Sequence, residues 1–266
     1  VGSPAALLLR FGVPLLIGNV FQQLYSLVDS IVIGQFVGSN ELGGIGCTGS
    51  IDYLVFSISY GMSSAVGILT AILYGSGEKE RLNRAIYNSF YILLAVSVLI
   101  AGVGFCGAGW FLQLLKTPPE LYPHAKLYLR VLFLGNIATI YYGGISAVMR
   151  AFGDSKTPLI ILIFCCLLNI VLDLLFVLVF SWGIVGTAVA TVLCQYLAAI
   201  GLTWYTLRHC RRALPRRLRY DGGMMRRLGG FSALTCLQQA AMNFGILLIQ
   251  RLVDSFGPVV MAAFAA

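Results

Sequence analysis

Two carboxylates, Asp29 and Asp173, lie inside long apolar stretches, in the segments QQLYSLVDSIVIG and LLNIVLDLLFVLV. The other eight of the ten acidic residues are expected at helix ends or in loops. An ionised carboxylate is costly in a hydrocarbon environment and usually faces a cavity or a partner group. No Lys or Arg is expected at a similar depth, so the sequence argues against a buried ion pair and favours a binding role.

Two polar side chains are expected beside these carboxylates. Asp29, Asp173 and Thr191 each lie seven residues from the same end of their apolar stretches, which corresponds to roughly 10 Å along a helix. Asn169 precedes Asp173 by four residues, so both lie on one helix face. The pattern predicts a cluster of two carboxylates, one amide and one hydroxyl.

Hard oxygen ligands of this kind suit a proton or Na⁺ rather than a soft metal ion. Two carboxylates in a low-dielectric site repel each other, and a bound cation relieves that repulsion. The residues alone do not choose between H⁺ and Na⁺. For Asn169 and Thr191, ordinary hydrogen bonding between helices is an equally good interpretation.

The elements that must position this cluster are membrane-spanning helices. The chain of 266 residues is 59% hydrophobic and only 11% charged, whereas soluble domains carry about 25% charged residues. Its apolar stretches are close to the ~20 residues that cross a bilayer as a helix. They predict an all-α polytopic membrane protein with seven spans and the start of an eighth near Phe256, at 11–34, 48–73, 86–112, 128–149, 158–180, 184–207 and 229–250. The first stretch is not a cleaved signal peptide, because it is long and carries Asp29.

The basic residues predict the orientation. If the N-terminus is cytoplasmic, fourteen Lys and Arg residues lie at inner ends or inner loops and four lie outside, which satisfies the positive-inside rule. The four outer bases are Lys116, Lys126, Arg130 and Arg251. The net charge of +8 therefore reflects topology and does not indicate a nucleic-acid partner.

A basic segment, RHCRRALPRRLRYDGGMMRR at 208–227, divides the chain. We expect a six-helix lobe at 1–207, a cytoplasmic linker at 208–227 and the start of a second, truncated lobe at 228–266. No aromatic platform accompanies the basic run, which argues against binding of single-stranded nucleic acid.

Several motifs resemble the multidrug and toxic compound extrusion (MATE) family. The first span has a helix Pro, then an Asp followed by a Gly, as Pro14, Asp29 and Gly34. Pro14 also removes a backbone hydrogen bond, so a bend there could redirect the helix that carries Asp29, although a static kink is an equal alternative.

Two further segments carry the resemblance. The connection MRAFGDSKTPL is similar to the R-A-x-G-D-x-x-x-P loop of the family, with Arg150, Gly153, Asp154 and Pro158 at the motif positions. The family's Asn-x-x-x-Asp occurs as Asn169 and Asp173, and Thr191 is the polar position of a Gly- and Ala-rich sixth span.

The resemblance implies a twelve-helix exporter with two six-helix lobes, in a bacterial cytoplasmic membrane. It implies exchange of inward-moving H⁺ or Na⁺ for outward-moving organic, often cationic, compounds, with no other cofactor. Asp29, Asn169, Asp173 and Thr191 would be the cation site of the first lobe. Most of the second lobe would lie beyond these residues.

Two other classes remain open on the sequence. A lipid-linked-precursor flippase would share the architecture, but such proteins are expected to carry basic residues in the cavity, and the spans are expected to hold none. A seven-helix receptor or retinal protein would have seven spans, but the seventh has no Lys for a Schiff base. A membrane enzyme is disfavoured, because His124 and His209 lie far apart in the sequence and no nucleophile–base set is visible.

Overall fold

The computed structural model describes residues 4–114, 117–209 and 220–254. Seven helices follow one another in this part of the chain: α1 (Pro4–Phe36), α2 (Ser39–Gly75), α3 (Lys79–Leu114), α4 (Tyr122–Ala151), α5 (Lys156–Leu174), α6 (Gly183–His209) and α7 (Gly222–Asp254). The all-α prediction is confirmed. Six of the described helices, α1 to α6, are long and apolar enough to cross a membrane.

Consecutive helices run in opposite directions, so the connections lie at two ends of the bundle. We call the end that carries the α1–α2, α3–α4 and α5–α6 connections the distal end, and the opposite end the proximal end. Six of the seven described helices extend beyond the predicted spans at both ends, whereas α5 ends before residue 180. His209 still belongs to α6 and Gly222 already belongs to α7, and both lie within the predicted linker at 208–227. Its residues 210–219, and the predicted eighth helix, lie outside the described part.

Helix α4 is the centre of the bundle, where it packs against α2, α3 and α6. Glycines permit this close packing, as expected where no hydrophobic force drives helices together in lipid. A methyl group on Gly104 of α3 would lie 2.0 Å from the ring of Phe133 on α4, and one on Gly144 of α4 would lie 2.1 Å from Leu93 on α3. On the other side of the bundle, α1 packs mainly against α5, and α5 against α6.

The first turns of α7 belong to the same core as α2 and α3. Met224 and Leu228 are buried together with Val66 and Ile86 in the largest apolar cluster of the described residues. The predicted division between the first lobe and the start of a second lobe stays a prediction, but α7 begins in contact with the first lobe.

Asp221 anchors the start of α7. Its carboxylate accepts hydrogen bonds from the backbone N–H groups of Gly223 and Met224, and it forms a 3.3 Å ion pair with Arg84 of α3. Asn88 accepts the N–H of Asp221 through its side-chain oxygen. The hydrogen bond from Met224, followed by the contact with Arg84, holds the pKa of Asp221 below its ordinary range. This cap ties the proximal ends of α3 and α7 together.

Candidate functional site

The four polar residues expected at one depth meet between α1, α5 and α6. The Thr191 hydroxyl donates a hydrogen bond to Asp29 Oδ2 at 3.4 Å, and Asn169 Nδ2 donates to Thr191 Oγ1 at 3.3 Å. The carboxyl groups of Asp29 and Asp173 lie within hydrogen-bonding reach of each other. Three helices that are distant in the sequence therefore contribute to one site.

The site is deeply buried and rich in acceptors. Asp173 is 0% exposed and Asn169 is 2% exposed. Among the described residues, no donor reaches Asp29 Oδ1, either carboxyl oxygen of Asp173, or Asn169 Oδ1. Buried polar atoms normally have a hydrogen-bond partner. Four oxygens without donors fit a proton shared between the carboxyl groups or a small hard cation.

No positive side chain neutralises the two carboxylates within the described part of the chain. The ion pairs found there join Arg81 to Glu78, and Arg84 to Glu80 and Asp221. All of them lie at the proximal end, outside the site.

One expectation about bases is wrong. The spans were expected to hold no base, yet Arg130 lies inside α4, eight residues after Tyr122, which is about 12 Å along the helix axis. Its guanidinium instead stacks on Phe105 of α3, with 5.1 Å between Cζ and the ring centroid. Among the described residues, Arg130 forms no ion pair with the carboxylates of the site.

Local features of α5 place Asp173 and Asn169. Asp154 accepts hydrogen bonds from the N–H groups of Lys156 and Thr157 and from the Thr157 hydroxyl, so it caps the start of α5. At the other end, α5 changes into a π-helical turn at Leu175–Val179, which begins two residues after Asp173. Such turns are rare and are frequently found at functional sites.

The R-A-x-G-D-x-x-x-P segment forms the α4–α5 connection at the proximal end. Gly153 has φ +93°, a conformation that glycine adopts without strain. Arg150 ends the α4 turn through its carbonyl, which accepts the Gly153 N–H at 2.9 Å. The Pro158 carbonyl accepts a 2.7 Å hydrogen bond from the Tyr142 hydroxyl. This motif therefore shapes a tight turn and the start of α5 at a distance from the carboxylates.

Pro14 lies within α1, fifteen residues before Asp29, and the helix is continuous from Pro4 to Phe36. One turn further on, Gly18 allows α1 to approach Leu159 and Leu162 of α5. The position of Pro14 is as expected from the sequence, and its role in a bend stays a prediction.

Sequence reasoning missed two tyrosines near the site. Tyr25 lies one turn before Asp29 on α1 and is close enough to feel the charge of both carboxylates. Tyr128 of α4 feels the charge of Asp29, Asp173 and Asp52. The four-residue spacing between Tyr25 and Asp29 could have predicted from the sequence that Tyr25 lies near the site. The position of Tyr128 could not be predicted, because it depends on how α4 packs.

Asp52 was expected at a helix end, and this is wrong. Helix α2 begins at Ser39, so Asp52 lies thirteen residues inside it, hydrogen-bonded to Thr48. A polar stretch at the start of α2 hid this position from the hydropathy pattern.

Six apolar helices, with a buried carboxylate pair between α1, α5 and α6, are typical of a polytopic membrane transporter. The MatE family model matches residues 14–175. The chain therefore belongs to the MATE family of transporters, and the resemblance read from its motifs is confirmed.

Curated relatives agree with this assignment. The chain is 32% identical over 272 residues to the probable multidrug resistance protein YpnP of Bacillus subtilis (strain 168), and the match covers 100% of this chain and 60% of YpnP. It is 30% identical over 187 residues to YoeA of the same organism, also described as a probable multidrug resistance protein, covering 69% of this chain and 40% of YoeA. The chain thus spans 60% of the length of YpnP.

Solved structures share the fold. A MATE crystal structure in the bent conformation superimposes with a TM-score of 0.90 at 22% identity, covering 99% of this chain and 60% of that chain. A MOP superfamily transporter from Pyrococcus furiosus superimposes with a TM-score of 0.88 at 21% identity, covering 99% of this chain and 59% of that chain. At such identities the likeness concerns the fold alone.

Proposed function

We propose that the protein is part of a cation-coupled antiporter that exports organic, often cationic, compounds from the cytoplasm, with H⁺ or Na⁺ as the coupling ion. The observation that carries this proposal is the buried pair Asp29 and Asp173, whose oxygens lack donors in the described part of the chain. Family membership and the multidrug-resistance descriptions of the relatives support export of small molecules.

The proposed coupling uses the geometry of three helices. A proton or Na⁺ between Asp29 and Asp173 removes the repulsion between the carboxylates and draws α1 towards α5. Loss of the cation restores that repulsion. A ligand shifts a conformational equilibrium only through different affinities for the two states. The cation therefore favours the conformation in which α1 and α5 lie close together, and the organic substrate favours the other.

Direction follows from the proposed orientation. The N-terminus and the proximal end are cytoplasmic, so the distal end faces outwards in a bacterial cytoplasmic membrane. The carboxylate site lies roughly 10 Å from the distal end of α1. The coupling cation enters from that side and leaves towards the cytoplasm, while the organic compound moves in the opposite direction. The remaining helices of a second lobe complete the transport pathway.

Transport by the full-length protein in liposomes tests the proposal. A fluorescent organic cation such as ethidium is the substrate, and either a pH gradient or a Na⁺ gradient is imposed. Asp29→Asn and Asp173→Asn should each abolish gradient-driven movement, because an amide cannot exchange a proton or balance Na⁺. Glu80→Gln removes a carboxylate whose side chain is 90% exposed at the proximal end, and it should leave transport unchanged.

The two gradients separate the coupling ions, because only one of them should drive transport by the unaltered protein. Unchanged transport by both Asn variants would overturn the proposal. Orientation has its own test: a cysteine in segment 208–227 should resist a membrane-impermeant maleimide added to intact cells, and labelling from outside would reverse the assigned direction.

A further inference from the structure

Basic residues at the distal end of the bundle are concentrated at the α3–α4 connection. Of the four bases expected on this side, Lys116, Lys126 and Arg130 fall within fifteen residues of sequence. The structure describes Lys126 and Arg130, which are one helical turn apart on α4 and so share a face. Bases on the distal side are exceptions to the positive-inside rule that the rest of the chain follows. Their grouping indicates a specific partner.

An aromatic ring of α4 and one of α3 hold these two cations in defined positions. Lys126 Nζ lies 5.6 Å from the centroid of the Tyr122 ring, and the guanidinium of Arg130 lies 5.1 Å from that of Phe105. The Tyr122 hydroxyl donates to the carbonyl of Gly109 at 3.3 Å. Aromatic faces attract cations and restrict their rotamers. The two charges are therefore presented together, one turn apart along the α3–α4 groove.

A missing side chain on α3 forms a notch in this groove. A methyl group on Gly109 would lie 2.9 Å from the Tyr122 hydroxyl and 3.5 Å from Lys126 Nζ. The glycine thus lets Lys126 lie close against α3 instead of extending into solvent. The groove is therefore formed by direct packing of α3 against α4.

No carboxylate balances the two charges within the described residues. The ion pairs found there are all at the proximal end, and Glu120, the nearest acid in the sequence, is exposed. Arg130 Nε is buried without an acceptor. An unsatisfied donor on a charged group is costly. Arg130 as a whole is half-buried, so an anion at the accessible end of its guanidinium stabilises its charge.

The surroundings select a lipid anion. Lys126 and Arg130 lie about 6 and 12 Å along α4 from its distal start, at the depth where headgroups meet acyl chains. Trp110, next to Gly109, is 62% exposed, as is typical of aromatic residues at a membrane interface. Beyond Phe105, the surface of α3 continues with exposed apolar side chains, Val98, Leu99 and Val103. An acyl chain fits that surface, and a free anion gains nothing from it.

We propose that Lys126 and Arg130 bind the phosphate of an anionic phospholipid, such as phosphatidylglycerol, in the leaflet at the distal end. Lys126 and the accessible end of the Arg130 guanidinium contact the phosphate, and an acyl chain lies along α3. This peripheral site is formed by α3 and α4, whereas the carboxylate site is formed by α1, α5 and α6. It is independent of the proposed transport activity, and under the proposed orientation the lipid belongs to the outer leaflet.

Tryptophan quenching by brominated lipids tests the site directly. The full-length protein is prepared with Trp110 as its only tryptophan and reconstituted into phosphatidylcholine vesicles. Part of the lipid is replaced by brominated phosphatidylglycerol or, in parallel, by brominated phosphatidylcholine. A second preparation with Trp182 alone is the matched control, because Trp182 is also exposed at the distal end, in the α5–α6 connection, which contains no base.

Brominated phosphatidylglycerol should quench Trp110 at lower mole fractions than brominated phosphatidylcholine, whereas the two lipids should quench Trp182 alike. Each base near a membrane surface is worth about fivefold in lipid binding. Lys126→Gln combined with Arg130→Gln should therefore reduce the preference about 30-fold, to the level of phosphatidylcholine. Lys126→Arg should retain the preference, as should Arg208→Gln, which removes an exposed base stacked on Trp204 at the opposite end.

Three results would overturn the proposal. Equal quenching of Trp110 by both lipids would show that no selective site exists. A preference that persists in the Gln double variant would place the site elsewhere. Displacement of the brominated lipid by inorganic phosphate at millimolar concentration would show a site for soluble anions. Size-exclusion chromatography of each variant before reconstitution measures loss of folding separately from loss of lipid preference.

Discussion

The contact between Gly104 of α3 and Phe133 of α4 offers a sharp test of the packing. A Cβ on Gly104 would lie 2.0, 2.2 and 2.3 Å from three ring carbons of Phe133. Carbon atoms pack best at about 3.5–4.0 Å, so Gly104→Ala must separate the two groups by roughly 1.5 Å. The ring has little room to move, because Phe133 is 3% exposed and packs against Leu129 and Ala108.

The expected cost combines two opposing effects. Inserting a methyl group into a packed core typically costs about 1–3 kcal/mol, while replacing Gly by Ala within a helix returns up to about 1 kcal/mol. Gly104→Ala should therefore lower the free energy of unfolding by about 1–2 kcal/mol. Gly102→Ala is the matched control on the same helix, because nothing lies within 4 Å of its added methyl group. It should be neutral or mildly stabilising.

Thermal melting of the full-length protein in detergent, followed by size-exclusion chromatography, measures both variants. Gly104→Ala should melt below the unaltered protein and Gly102→Ala at or above it. Phe133→Leu in the Gly104→Ala background removes part of the clash and should recover some of the lost stability. Equal melting of the two alanine variants, or a double variant worse than the sum of its parts, would refute the packing argument.

Three further changes are predicted from described contacts. Thr191→Val removes two weak hydrogen bonds of the carboxylate site and should reduce cation affinity about fivefold by cation-titrated melting, whereas Thr187→Val, which loses only a bond to a backbone carbonyl of its own helix, should leave affinity unchanged. Since folding lowers the pKa of Asp221, its ionised form stabilises the fold above the unfolded-state value of about 3.9. The difference in melting temperature between the unaltered protein and Asp221→Asn should stay constant from about pH 5 to 7. It should shrink at lower pH, as the Asp221 carboxylate is protonated. A difference that grows with acidity would contradict the lowered pKa of Asp221. Cysteines at Ser57 and Asn243, whose side chains are 2.8 Å apart, should be joined by a short bifunctional thiol reagent and show faster migration in gels, and failure to link would contradict the α2–α7 contact.

The carboxylate cluster shows how far counting residues along a span can go. Asp29, Asp173 and Thr191 were predicted at one depth, and the structure brings them together with Asn169. Depth was predictable because an α-helix rises by a constant distance per residue. The direction in which each side chain points around its helix was not, since neighbouring helices decide it. Their role in cation binding remains a prediction.

Asp52 and Arg130 show where counting fails. Both were placed near span ends because polar residues around them lower the local hydropathy, yet both lie well inside long helices. A helix in a membrane protein continues as long as its backbone hydrogen bonds do, and it can extend past the apolar stretch. The sequence carried no signal of the Phe105 ring that faces Arg130, because α3 and α4 contact each other through residues far apart in the chain.

By itself, the sequence determined that the chain crosses a membrane repeatedly, that it resembles the MATE family, and which carboxylates lie at an unusual depth. These properties follow from hydropathy, which depends on composition over about twenty residues, and from short motifs. Only the tertiary structure decided which oxygens of Asp29, Asn169 and Asp173 lack a donor and which cations lie on aromatic rings. Those facts depend on the orientation of each helix about its own axis, in the α1, α5 and α6 group and separately in the α3 and α4 pair. Small residues and side-chain shape at each interface set that orientation.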